Sequence, residues 1–258
     1  MASKDLYLTG VAGMKTITIA THKGGTGKTT TAAALAQAAA SVGKKVLCVD
    51  LDAQRNLTLT LAADKNRKGA FDVLNGGNIR KAIQETPQGI DVISASWDLS
   101  TLKTVKGSAY KLEEALEEVK RLYDLTIIDT PPQISVLQYN ALQAADILII
   151  PMITSVFSLQ ALSDTLDTAA EFKKTNDRLK IGALITLFEG RSVLTRNLET
   201  AIKARLEENN ILYMGKIRKA IAIQEAQTLQ QSLYSYAPKS KPAEDYMKLL
   251  QIVLREVK

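Results

Sequence analysis

A chain of 258 residues, 46% hydrophobic and 23% charged, has the composition of a soluble globular protein and the length to bury a core without metal or disulfide support. Its single cysteine, Cys48, excludes a disulfide framework and a cysteine-built metal or iron–sulfur centre, and suits a reducing compartment such as the cytoplasm. The net charge of +6 is uneven: residues 173–258 hold 16 Lys/Arg against 9 Asp/Glu, and residues 1–172 hold 17 against 18, so the last third suggests a polyanion partner beside the plainer reading of a lysine-rich solvated surface.

Residues 1–13 lack the apolar core of a signal peptide and read as an extension of uncertain origin; one domain over 14–258 follows, with no linker or repeat. Short, almost continuously apolar runs at 15–20, 45–51, 89–94, 125–129, 146–150 and 180–187 predict strands covered on both faces. Cys48 falls in the second and reads as a core thiol. Helical patterns alternate with them. The alanine-rich stretch 29–43 closes on Gly43 as a C-cap. Further helices are expected over 109–122, over 158–174 with Ser158 as N-cap, over 195–210 and over 242–258. Strand–helix alternation along the whole chain predicts an α/β, doubly wound, mostly parallel sheet flanked by helices. The longest apolar stretch, "ILIIPMITSVF", is too short to span a membrane and contains a proline.

"GGTGKTT" lies between the first strand and the first helix, the setting a P-loop requires. Backbone N–H groups of Gly24, Gly25, Thr26 and Gly27 would curl around phosphate oxygens, aided by the positive helix N-terminus. Lys28 would neutralise the β- and γ-phosphates and the Thr29 hydroxyl would coordinate Mg²⁺. Asp129 ends the strand "LTIID", and Asp50 and Asp52 end "VLCVDLD", where strand alternation would turn both carboxylates towards the phosphates; Asp52 and Asp129 are the candidate acids for the metal. A second lysine, Lys23, stands at the mouth of the loop. From there its side chain could reach a second nucleotide across a dimer interface, as an arginine finger does in trans.

"KGGTGKTT" resembles the deviant Walker A motif of the ParA/MinD family of P-loop ATPases. "VDLDAQRN" is similar to that family's first switch, and "LTIIDTPPQISVLQYNALQAADILIIPM" to its Walker B strand, second switch and following strand. "TLFEGRSVLT" and "YAPKSKPAEDYMKLL" are similar to late motifs of the ParA/Soj branch, which segregates chromosomes and plasmids; the resemblance covers roughly 15–258. It implies an ATPase using ATP and Mg²⁺ that closes into a homodimer on ATP, with Lys23 on the partner's nucleotide. It further implies Thr29 and Thr30 at the phosphates, Asp52 positioning the attacking water, Asp50 and Gln54 supporting the switch, and Asp129 holding Mg²⁺ through water. The ATP dimer of this branch binds double-stranded DNA without sequence preference, and a ParB-type partner stimulates an otherwise slow hydrolysis, which places the protein in the cytoplasm on the nucleoid.

The basic last third then takes on a role. Arg191 and Arg218 match arginines that contact DNA in ParA/Soj proteins, and Lys203, Arg205, Lys216, Lys219, Lys239 and Lys241 are further candidates. The chain departs from the family pattern at Ala53, Arg55 and "KIRKAIAI", so no adenine contacts are assigned near 216–220; His22 reads as structural. The alternatives are a MinD-like membrane-associated ATPase or a regulatory ATP-dependent DNA-binding protein. The first would use the C-terminal stripe of Tyr246, Leu249, Leu250, Val253, Leu254 and Val257 on lipid, but the mixed charges opposite it suit anionic lipid poorly and core packing is the expectation.

Overall fold

The computed structural model describes residues 13–102, 108–155 and 158–257. The expected N-terminal extension, apart from Gly13, lies outside them. The described chain forms an eight-stranded sheet in the order β3-β4-β2-β5-β1-β6-β7-β8. Its strands are β1 (Lys15–Ile19), β2 (Val46–Asp50), β3 (Ile83–Glu85), β4 (Asp91–Ile93), β5 (Leu125–Asp129), β6 (Ile147–Ile153), β7 (Lys180–Phe188) and β8 (Leu212–Arg218). Every pairing is parallel except β3 with β4, so the doubly wound, mostly parallel sheet expected from the sequence is what forms.

The central strands are buried along their whole length, which is why their sequences are apolar without alternation. Two strands were not expected, β3 and β8. The first is a three-residue edge strand; the second is buried only at Met214 and Ile217 and is interrupted by Gly215 at φ 98.

Helix α1 (Lys28–Ser41) follows β1 and is buried on nearly all sides, so its alanines let the sheet and the C-terminal helix approach closely. It ends where expected: Gly43 takes φ 83, and Gly43 and Lys44 donate their N–H groups back to Ala40 and Ala39. After β2 come the short helices α2 (Asn56–Thr60), α3 (Ala70–Leu74) and α4 (Ile79–Ala82). Beyond β4, α5 (Lys111–Glu117) is much shorter than the expected 109–122, and α6 (Val136–Ala144) leads into β6. α7 (Ser158–Lys173) and α8 (Val193–Glu208) flank β7, and α8 starts earlier than expected because Ser192 accepts the Thr195 N–H. α9 (Ile221–Thr228), α10 (Leu233–Tyr236) and α11 (Lys241–Glu256) close the chain.

The apolar stripe of α11 packs against α1 in the main core. Tyr246, Leu249, Leu250 and Val253 are at most 1% exposed, so this face is not available to a bilayer in the described conformation. No helix among the described residues is long and apolar enough to cross a membrane.

Candidate nucleotide-binding site

Strands β1, β5 and β2 end side by side. Ile19 lies in register with Asp129, and Asp129 with Asp50, so the loop after β1 and two acids share one rim of the sheet. The P-loop leaves β1 and turns through Gly25 and Gly27, whose φ values of 71 and 82 are left-handed and favour glycine. Gly24 and Gly25 are exposed, whereas Thr26 is buried with its carbonyl 2.7 Å from Thr186 Oγ1 on β7. Gly27 caps α1, and its carbonyl receives the first helical N–H, from Thr31.

Lys28 curls back over the loop, with Nζ 3.4 Å from the Lys23 carbonyl. Burial lowers its pKa, opposed by the charges of Asp129 and Asp52. Thr29 donates its hydroxyl to Asp129 Oδ2 at 2.6 Å, and the other oxygen, Oδ1, is buried with no hydrogen-bond partner. Burial, then the neighbouring Asp50, pushes the Asp129 carboxyl well above the ordinary carboxylate range. An orphaned buried oxygen beside a threonine hydroxyl fits a hard divalent cation, whose charge would restore the ionised form.

The acids after β2 are disposed differently from the strand-based expectation. β2 ends at Asp50, so Asp52 lies in a turn and alternation no longer relates the two side chains. Asp50 is fully buried and accepts three hydrogen bonds: Thr58 N (2.8 Å) and Thr58 Oγ1 (2.7 Å), both on α2, and Asp52 N (3.1 Å). Burial raises its pKa to about 6 against the pull of those donors. Asp52 is half-buried and accepts the Gln54 N–H at 2.9 Å; Gln54 is exposed. Arg55 caps α2 in a left-handed conformation, φ 62, with its guanidinium 5.7 Å from the centre of the exposed Trp97 ring. A cleft of about 420 Å³ opens beside the loop, between Thr29 and Thr30 on α1, Asn56 and Leu59 on α2, and Gln227 and Gln230 at the end of α9.

Lys23 is half-buried, and its ammonium donates to Ser155 Oγ, just past β6, at 3.1 Å. His22 beside it is also half-buried. Nothing in the sequence signalled Ser155, Thr186 or Trp97, because each reaches the loops from a distant strand end or turn.

The basic candidates divide into two groups. Arg218 holds Asp245 with Nε at 2.8 Å and Nη2 at 2.6 Å, and its backbone N–H donates to the same carboxylate. Lys203 and Lys216 share the buried Glu199 and lie over Tyr213 and Phe188; Lys219 pairs with Glu189 and Arg205 with Glu208. Arg191, Lys239 and Lys241 form no ion pair among the described residues. A groove of about 950 Å³ brings Arg191, Arg218, Lys219 and Lys241 together beside Phe188.

Comparison with known proteins supplies relatives over most of the chain. The family model described as "AAA domain" matches residues 14–181. The chromosome-partitioning ATPase Soj of Thermus thermophilus is 32% identical over 249 residues, covering 95% of this chain and 98% of Soj. The chromosome partitioning protein ParA of Caulobacter vibrioides is 31% identical over 253 residues, covering 93% and 94%. Among solved structures, a cobyrinic acid a,c-diamide synthase from Mycobacterium smegmatis with bound ADP and magnesium superposes with a TM-score of 0.79 at 29% identity, over 94% of both chains.

Proposed function

This chain belongs to the Soj/ParA family of P-loop partitioning ATPases, and we propose that it hydrolyses ATP as a nucleotide-gated dimer that binds DNA without sequence preference and is discharged by a ParB-type partner. The observation that carries the ATP site is the buried Asp129 carboxylate, one oxygen on Thr29 and the other unpartnered, at the foot of the P-loop. Thr29 and Asp129, with Asp52 nearby, would hold Mg²⁺, which supplies charge neutralisation to the phosphates.

The chain's own groups do the rest. Backbone N–H groups over Gly24–Thr30 cradle phosphate oxygens at the N-terminus of α1. Lys28, already desolvated, turns from the Lys23 carbonyl to the β/γ-phosphates, where an anion favours its charged form. Asp52 orients the attacking water; phosphoryl transfer asks for placement more than base strength. Asp50 fixes α2 through Thr58 and so supports that placement, with Gln54 in the same turn. Lys23 leaves Ser155 and reaches the nucleotide of a second protomer.

The same fold in M. smegmatis belongs to a protein named for amide synthesis, so the fold alone does not choose the role. Partition is favoured by similarity to two partitioning proteins over more than nine-tenths of the chain (95% and 93%) together with a basic groove. Arg191, Lys239 and Lys241 offer their charges directly to phosphate, while Arg218, Lys219, Lys216, Lys203 and Arg205 would exchange an ion pair to do so. A dimer doubles the patch, and the second contact becomes intramolecular. Basal turnover is slow until DNA and partner are present, and the protein resides on the nucleoid.

Phosphate release from Mg-ATP by wild type and Lys28→Ala tests the site. Release by the wild type alone is expected; equal release by both would remove Lys28 from the chemistry.

A further inference from the structure

We propose that Gln230 is a positioning residue for ATP hydrolysis: it braces the far end of helix α2 and thereby holds the Asp52 turn at the near end. The inference rests on the ATPase reading above. Gln230 lies two residues beyond α9 with φ 52, a left-handed conformation that glycine or asparagine takes at a helix end at less cost. The backbone conformation is that of a Schellman cap, with Gln230 N–H donating to Gln227 O at 3.0 Å and Gln231 N–H to Ala226 O at 2.9 Å, but the residue is exposed and core packing does not explain why a glutamine stands there. Its contacts do: Nε2 donates to the Leu59 carbonyl at 2.9 Å, 171 residues earlier in the chain.

The bond lies beside two linked side-chain amides, Gln88 and Gln37, the first of which meets Gln230 at its main-chain carbonyl. The Gln230 carbonyl accepts from Gln88 Nε2 at 2.9 Å, and the same amide group donates to the Thr60 carbonyl at 2.8 Å. Gln88 Oε1 accepts from Gln37 Nε2 on α1 at 2.8 Å, and Gln37 Oε1 accepts the Leu233 N–H at 3.0 Å. All three glutamines therefore converge on the stretch between α2, the P-loop helix and the start of α10.

Helix α2 needs such support. Five residues are too few for a helix to persist unaided in water. Leu59 O receives only Ala62 N from the local backbone, at 3.1 Å, and Gln230 fills its second acceptor site. Asp50 pins the middle of α2 through Thr58, and the Asp52 turn is fused to its start, since Arg55 N donates to Asp52 O at 2.8 Å. The helix is thus a short strut with Asp52 at one end and Gln230 with Gln88 at the other. Loosening the far end lets the strut tilt, and hydrolysis depends on small displacements of the water-orienting group.

The test uses the full chain with Gln230→Gly, Gln230→Asn and Gln230→Lys. Glycine and asparagine accept the backbone conformation and lose the reach to Leu59; lysine keeps a donor of similar reach. For Gly and Asn the melting temperature should match or exceed wild type, and because Gln230 also lines the cleft beside the P-loop, any change in the Kd for Mg-ADP should be smaller than the change in rate. The single-turnover rate should fall about three- to tenfold, the worth of one lost hydrogen bond, with faster amide exchange at 57–61. Gln230→Lys should recover most of the rate. Unchanged turnover in Gly and Asn, or a fall that merely follows a lower melting temperature, would overturn the role. Absence of phosphate release from the wild type itself would instead defeat the ATPase reading, and the positioning role with it.

Discussion

Arg218→Ala separates a structural arginine from a DNA-binding one. The Arg218 guanidinium ends β8 and clamps Asp245 on α11 at 2.8 and 2.6 Å, with a further bond to the Lys241 carbonyl at 3.2 Å. Asp245 is 8% exposed, so truncation leaves a nearly buried carboxylate whose one remaining donor among the described residues is the Arg218 backbone N–H. Breaking a buried pair costs ~3–5 kcal/mol, but the Arg218 side chain is 34% exposed and water reaches the bridge, which reduces the expected loss to ~1–3 kcal/mol. For a chain of this length that is a fall in melting temperature of about 3–10 °C. Circular dichroism melts and DNA retention at two salt concentrations should be run on Arg218→Ala, Asp245→Ala and the double variant. Arg218→Ala should lose stability and DNA affinity together, and the double variant should recover part of the stability, because no buried charge is then left alone. Arg191→Ala should lose DNA affinity at an unchanged melting temperature. If Arg218→Ala melts with the wild type, the bridge is not holding α11 to β8 and the reasoning fails.

Lys28→Ala should abolish nucleotide binding measured by calorimetry. Lys23→Ala should retain part of that binding, because the lysine rests on Ser155 in the single chain, yet form no dimer with ATP and hydrolyse none even with partner. Asp52→Ala should bind ATP and accumulate a dimer that stays on DNA, read as retention persisting long after ATP addition. Cys48, fully buried with its thiol pKa pushed far up by burial, should resist alkylation in the native protein and react at once in denaturant.

Much of the framework was legible in the sequence. β2 and β5 are almost continuously apolar up to their closing aspartates because both sheet faces are covered, and in β1 buried threonines alternate with the isoleucines. The P-loop was legible because glycines, lysine and hydroxyl must be adjacent in the chain to surround one phosphate. β8 was hidden by its edge position, its glycine and two basic residues. The placement of Asp50 was hidden as well: its residue type suggested a phosphate-side acid, but the carboxylate is turned onto Thr58 by a helix that begins only after the strand ends. Charge counts located the basic third, while the partners that occupy Arg218, Lys216 and Lys203 come from α11 and α8 and appear only on folding. The contacts of Lys23 with Ser155 and Gln230 with Leu59 span more than 130 residues each, beyond any local pattern.

The most direct test of the account is retention of nonspecific duplex DNA without nucleotide, with ADP and with ATP, at two salt concentrations, with molecular mass followed by light scattering. Retention only with ATP, tracking a doubled mass and falling steeply as salt rises, is the predicted result. An ATP-driven dimer that ignores DNA, or retention indifferent to nucleotide and salt, would contradict it.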